Sequence, residues 1–246
     1  MNIKENKKIY FLSDSHLGIP DEQSSFKREL KFIKWLDKIK KDACEIYLLG
    51  DIFDFWFEYK TVIPKGYIRL LGKLAEISDA GIKINYLTGN HDMWVKNYFE
   101  KELKMTIIRE PIKKIYNNLS LYIGHGDGLG SADTGYKIIK KIFSNKLCQK
   151  LYSLIHPDIA IPLGLFFSNK SRNSHNEEDN GERLILYSKQ LAEKEKIDYF
   201  IFGHRHLPLN IEIMPGIRYI NIGDWLKHFS YGVFDGKQIT LEYFTE

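Results

Sequence analysis

One event repeats along this chain and constrains it more than any other feature. Five short apolar runs each stop at a serine, threonine or glycine and at once present a carboxylate, amide or imidazole. Lys8 to Ser13 ends in Asp14-Ser15-His16, and Ile46 to Leu49 ends in Gly50-Asp51 with Asp54 just beyond. Lys83 to Thr88 ends in Gly89-Asn90-His91-Asp92, the run before Gly124 ends in His125-Gly126-Asp127, and Tyr199 to Phe202 ends in Gly203-His204-Arg205-His206. Such runs are too short for helices and read as strands buried on both faces. In α/β sheets, functional groups gather beyond the carboxyl ends of strands. Taken singly, each ending is as well explained by a surface turn or a helix cap; their recurrence favours a shared site.

The segments between them fit an α/β fold. Glu22 to Lys41 carries Phe26, Leu30, Ile33, Leu36 and Ile39 at close to helical period, which predicts an amphipathic helix and a β-α-β opening. A second helix, about Lys65 to Ala80, stops at Gly81. Asn117-Asn118 marks a hairpin, and turns at Pro215-Gly216 and Asp235-Gly236 predict short strands completing a sheet after Asn210. At 246 residues the chain fits one α/β domain carrying an insertion. The core is assigned to 1–131 and 183–246, and the insertion to 132–182, with a helix from Thr134 to Ile155, the uncharged run Ile159 to Phe167, and a polar stretch through Asn180. A helix from Glu182 to Lys194 returns the chain to the core.

Composition excludes several classes. Two distant cysteines, Cys44 and Cys148, indicate neither a thiolate zinc site nor a disulfide framework and point to a reducing compartment. A formal charge of +4 is too small to argue for nucleic acid. The N-terminus has no room for a signal peptide before Asp14, and no stretch approaches a membrane span, so a cytoplasmic location is expected, with any membrane contact peripheral.

Collected, the strand-end groups are Asp14, His16, Asp51, Asn90, His91, His125, His204 and His206. Oxygen and imidazole donors without thiolate suit manganese, iron or zinc and argue against an all-oxygen calcium cage. A carboxylate shared between two ions about 3.5 to 4 Å apart is the usual way to clamp a displacement at phosphorus, and Asp51 is the natural bridge.

The motifs DxH, GDxxD, GNHD, GH and GHxH, in this order, resemble the calcineurin-like metallophosphoesterases over essentially the whole chain. The resemblance implies a β-sandwich of two mixed sheets flanked by helices, with the insertion as a helical cap. It further implies two divalent ions, manganese first, with iron or zinc as alternatives. Asp14, His16 and His206 would hold one ion, Asn90, His125 and His204 the other, and Asp51 would bridge them. His91 would act at the phosphate as an acid or electrostatic partner, oriented by Asp92, and metal-activated water would replace a Ser or Cys nucleophile.

Within that superfamily the chain is most similar to the UDP-2,3-diacylglucosamine pyrophosphatases of lipid A biosynthesis. GDIFDFW resembles their GD-[LI]-F-[ED]-x-W signature, HGDGLGSAD resembles their HGD-x-L-x-x-x-D segment, and Tyr136 follows Asp133 by three residues. A departure is His91, where many members carry Arg. The resemblance implies a cap that receives acyl chains, contact with the cytoplasmic face of the inner membrane, and attack of water on phosphorus to give UMP and 2,3-diacylglucosamine 1-phosphate.

Between Lys137 and Arg172 there are seven basic residues against one acidic residue, Asp158, an asymmetry suited to a diphosphate or an anionic surface. Ile138, Ile139, Ile142, Phe143, Leu147 and Leu151 lie among them, as in an interfacial helix. The plainer alternative packs that apolar face on the core and leaves the lysines solvated. Asp133 and Tyr136, by motif, and Lys170 and Arg172, by charge and position, are the substrate-contact candidates. Asp54 is expected behind the metal ligands or capping a loop. Core packing is the default for Trp56, Trp94 and Trp225, and Asp224 is a candidate support behind the site. His156, His175 and His228 match no motif. Two rival functions are a phosphoesterase for a soluble nucleotide or phosphodiester and a silent scaffold; scaffolds lose ligands, and all seven ligand positions are filled here.

Overall fold

The computed structural model describes residues 3–130, 134–174 and 177–245. Its elements in chain order begin β1 (Lys8–Leu12), α1 (Glu22–Ile39), β2 (Ala43–Leu48), α2 (Ile68–Asp79), β3 (Lys83–Leu87), α3 (Tyr98–Leu103), β4 (Thr106–Ile108), β5 (Ile112–Tyr116) and β6 (Leu119–Ile123). They continue α4 (Thr134–Phe143), α5 (Lys146–Tyr152), α6 (Pro157–Ser174), α7 (Glu177–Ala192), β7 (Tyr199–Phe202), β8 (Leu209–Met214), β9 (Ile217–Asn221), β10 (Ser230–Phe234) and β11 (Ile239–Tyr243).

The strands form two mixed sheets, ordered β11-β10-β1-β2-β3-β4 and β5-β6-β7-β9-β8. Strands β1 to β4 are parallel neighbours, as are β6, β7 and β9, while β10, β11, β5 and β8 pair antiparallel at the flanks. Because successive side chains point to opposite faces, Ile9 and Phe11 enter the layer between the sheets with Leu121, Ile201 and Ile220. Their neighbours Tyr10 and Leu12 face outward, against Phe32, Trp35 and Leu36 of α1 and Leu70 and Leu74 of α2. Phe200 and Phe202 pack with Leu184 of α7 on the far side. The result is a helix-sheet-sheet-helix sandwich, the fold class expected from the sequence. Trp35 is fully buried and meets Tyr10, Tyr231 and Trp225 edge-on; truncating such a residue costs about 3–5 kcal/mol.

Several expectations need correction. The core-facing side of α1 is Arg28, Glu29, Phe32, Trp35, Leu36 and Ile39, while Phe26 and Leu30 are exposed. The helix is rotated because Arg28 and Glu29 have inward work: the Arg28 guanidinium donates to the carbonyls of Ser15, His16 and Ile19, and Glu29 accepts from Leu70 N at the start of α2. The predicted helix Thr134 to Ile155 is two helices, broken where the Asn145 side chain accepts from Leu147 N and Cys148 N to cap α5. The uncharged run and the polar stretch as far as Ser174 form a single helix, α6, and α7 starts at Glu177 rather than Glu182. The stretch after Asn210 completes both sheets, with β8-β9 in one and β10-β11 in the other. The hairpin at Asn117-Asn118 forms as expected, with both residues at positive φ.

Helices α4 to α6 sit against the segments after β2 and β3. Trp94 Nε1 donates to Phe143 O at 2.7 Å, Tyr59 OH donates to Ile155 O at 3.2 Å, and Tyr152 packs against Phe55, Phe57 and Trp94. Their outer surface is apolar: Ile142, Leu147, Leu151, Leu154, Ile159 and Phe166 are all exposed.

Candidate metal centre

The carboxyl ends of β1, β2, β3, β6 and β7 converge, as the repeated strand endings predict. Asp14, His16, Asp51, His204 and His206 all have φ between 40° and 68°, the left-handed region that non-glycine residues rarely adopt. Each such residue costs roughly 1–3 kcal/mol and persists where its surroundings over-determine it. The glycines make the approach possible. A Cβ on Gly89 would collide with the Asp51 carboxylate and backbone, and one on Gly50 with the Gly89 backbone and His125.

Three groups of donor atoms result, each within 4.8 Å: Asp14, His16 and His206; Asp51, His125 and His204; and His16, Asp51 and His91. His16 Nε2 and His206 Nε2 are 3.1 Å apart, and His206 Nε2 is 3.2 Å from Asp14 Oδ1. Asp51 Oδ2 lies 3.3 Å from His125 Nε2 and 3.8 Å from His16 Nε2, so one carboxylate oxygen faces both sides of the cluster. Asn90 Oδ1 approaches His125 Nε2 at 3.3 Å.

The shell behind these groups aims them. His16 Nδ1 is 3.1 Å from Asp54 Oδ1, and His125 Nδ1 is 2.6 Å from the Leu49 carbonyl. Both acceptors draw the ring proton to Nδ1 and turn the Nε2 lone pair into the cluster. His91 N–H donates to Asp51 Oδ1, and His204 N–H and Ser13 Oγ–H donate to Asp14 Oδ2. Asp92 reaches the site through the backbone: it accepts from Ile52 N, Gly89 N and Tyr86 OH. The His91 ring is held elsewhere, with Nδ1 2.5 Å from Ser168 Oγ and 3.2 Å from Asp54 O.

The electrostatics fit a cationic occupant. Burial would raise Asp14 and Asp51, but the surrounding imidazoles outweigh it and hold both well below the carboxylate range. Burial lowers His16 and His125, yet Asp14 and Asp54 lift His16 to about 9 and Asp51 lifts His125 to about 10. Burial and the charge of His125 push His204 down to about 4. Burial and the charge of Asp51 raise Asp92 to about 6. Asp14 Oδ1 is buried without a hydrogen-bond partner. An orphaned carboxylate oxygen facing imidazole nitrogens, with no thiolate among the donors, suits a divalent ion.

Asp133 and the side chains of Tyr136, Lys170 and Arg172, like His175, lie outside the described residues. Lys140 is tied to buried Asp127 at 2.6 Å. Trp56 and Trp225 are fully buried, and Trp94 is partly so. Asp224 accepts from Leu226 N and Lys227 N and from His228, while the neighbouring Trp225 N–H holds the Asp14 carbonyl. His156 is exposed. The sequence reading missed Arg28, whose signal is a charge within an apolar helix face, and Ser168, which has no local signal.

Residues 7–208 match the family model described as calcineurin-like phosphoesterase. A UDP-2,3-diacylglucosamine hydrolase of Porphyromonas gingivalis (strain ATCC BAA-308 / W83) is 35% identical over 253 residues, covering 96% of this chain and 97% of that protein. A protein of the same name from Shewanella halifaxensis is 26% identical, covering 89% and 91%. Yfce, a phosphoesterase from E. coli, aligns with a TM-score of 0.48 at 15% identity over 96% of this chain and 92% of its own. With its strand ends converging on one Asp/His/Asn cluster and the matched span covering most of its length, the chain belongs to the calcineurin-like phosphoesterases, metal-dependent hydrolases.

Proposed function

We propose that this protein hydrolyses the pyrophosphate bond of UDP-2,3-diacylglucosamine to UMP and 2,3-diacylglucosamine 1-phosphate. The observation that carries this reading is the pairing of a buried cluster centred on Asp51 with an adjacent set of helices whose outer surface is apolar. The relatives' shared name supplies the substrate.

In this reading Asp14, His16 and His206 would hold one divalent ion, Asn90, His125 and His204 would hold the second, and Asp51 would serve both. Manganese is the first choice, with iron or zinc as alternatives for the same donor set. When bound, such ions would supply Lewis-acid charge and a water made more acidic for attack on phosphorus. The protein's own residues do the rest. Asp54 and the Leu49 carbonyl fix two imidazoles, and His91 serves the reacting phosphate as acid or electrostatic partner. Asp92 pins the loops that carry Asp51 and Asn90.

Residues 132–182 act as a cap, with exposed Ile142, Leu147, Leu151 and Leu154 meeting acyl chains or the headgroup boundary of the inner membrane's cytoplasmic face. Exposed Lys141, Lys146 and Lys150 favour the same anionic surface. No helix among the described residues is long and apolar enough to cross a membrane. Asp133, Tyr136, Lys170 and Arg172 are assigned to substrate contact. The test is incubation with Mn²⁺ and UDP-2,3-diacylglucosamine against a panel of nucleotide diphosphates. UMP release from the acylated substrate in strong preference supports the reading; preference for a soluble nucleotide favours the rival phosphoesterase.

A further inference from the structure

Ser168 lies on α6, 77 residues from His91 in sequence, yet its hydroxyl is buried inside the candidate centre. Ser168 Oγ is 2.5 Å from His91 Nδ1, 2.7 Å from the Asp54 carbonyl and 2.8 Å from Asp54 Oδ2. A hydroxyl has one proton and two lone pairs. The two Asp54 oxygens are acceptors, so the Ser168 proton goes to Asp54, and the remaining contact runs from His91 Nδ1–H to a Ser168 lone pair. The Asp54 carbonyl, 3.2 Å from the same nitrogen, also accepts. Nδ1–H is thereby assigned as the anchored donor, and the acid or electrostatic role at the phosphate falls to Nε2–H of the doubly protonated ring.

The helix can come this close because its inward side is small. Ala160, Gly164 and Ser168 are spaced by four, Ala160 is fully buried, and a Cβ on Gly164 would overlap the Phe55 ring. Phe55 adjoins Asp54, whose other carboxylate oxygen faces His16 Nδ1. One carboxylate therefore orients His16 directly and His91 through a hydroxyl that arrives only when α6 is seated.

We infer that Ser168 is a positioning residue that makes the orientation of His91 depend on the seating of α6 over the site. The inference rests on the hydrolytic reading above. A loose α6 strips His91 Nδ1 of its shorter contact and leaves the 3.2 Å approach of the Asp54 carbonyl, so the ring is fully set only with the helix in place.

The test uses the full-length, Mn²⁺-loaded protein with UDP-2,3-diacylglucosamine and three variants: Ser168→Ala, His91→Ala and the double variant. Alanine suits a helix interior, so Ser168→Ala should fold. Loss of an outer partner of a site imidazole costs about 10- to 100-fold in activity. We expect kcat to fall about 10-fold with KM nearly unchanged, and the double variant to match His91→Ala, because Ser168 acts through His91. A double variant that loses about a further 10-fold would overturn the inference, as would a loss confined to KM. Gly164→Ala, which pushes α6 from Phe55 without touching Ser168, should reproduce the kcat loss; wild-type kcat there counts against it. A second readout needs no turnover: in ¹⁵N-histidine-labelled protein, the His91 Nδ1–H resonance should be present in the wild type and weakened or shifted in Ser168→Ala. An unchanged imidazole spectrum contradicts the inference even if wild-type protein releases no UMP, a result that would instead sink the proposed substrate.

Discussion

Asp54 Oδ1 lies 3.1 Å from His16 Nδ1, and both side chains are buried. This contact fixes which nitrogen of His16 faces the cluster. Replacing Asp54 by Ala should weaken metal binding by about 10- to 100-fold. Calorimetric Mn²⁺ titration checks it, and wild-type affinity in Asp54→Ala would show that His16 needs no such support.

Metal binding should release protons. Without an ion, burial is outweighed by the carboxylates that raise His16 to about 9 and His125 to about 10, so both imidazoles carry protons at neutral pH. An ion needs the neutral rings, so affinity should rise with pH through those values and level off above them. For the metal-free protein the sign is opposite: stabilisation from these raised imidazoles is present below about pH 6.5 and is lost as pH rises through their folded values. Titration in buffers of different ionisation enthalpy should report about two protons displaced, one from each of these rings. No displacement at pH 7 would contradict this account.

Gly89→Ala should spare the sandwich and damage the centre. The added Cβ would meet the Asp51 carboxylate and backbone nitrogen, neither of which can give way without displacing Asp51. Circular dichroism close to wild type with lost metal stoichiometry is expected. Two tightly bound ions in the variant would show that Asp51 tolerates displacement.

The strand ends were legible in the sequence because each is local: a short apolar run, a glycine or serine, then a carboxylate, amide or imidazole. The same holds for the hairpin at Asn117-Asn118. What was not legible depends on tertiary docking. Arg28 and Glu29 turn α1 away from the stripe its apolar residues suggest, because their partners lie in the loop after β1 and at the start of α2. Asn145 divides a periodic apolar segment by capping, a choice that periodicity cannot record. Ser168 lies in a polar stretch with no motif; its role comes from the approach of α6 to Phe55, which no local pattern encodes.

The apolar face of the inserted helices should act on the substrate's acyl part alone. Leu147 and Leu151, four apart on α5, are 64% and 57% exposed, so aspartate at both should fold. Each buried leucine contributes about 1.5–3 kcal/mol; losing the pair should raise KM for the acylated substrate at least 10-fold and leave a small chromogenic diester unchanged. Sedimentation with anionic vesicles should fall in parallel. Equal losses on both substrates would place the effect in the core instead.

The central claim is that Asp51 joins two halves of one hydrolytic centre. It is tested most directly by UMP release from UDP-2,3-diacylglucosamine with Mn²⁺, comparing wild type with Asp51→Ala at matched folded concentration. The account predicts steady release by the wild type and background for Asp51→Ala, with the fold retained. Retained turnover in Asp51→Ala would contradict it.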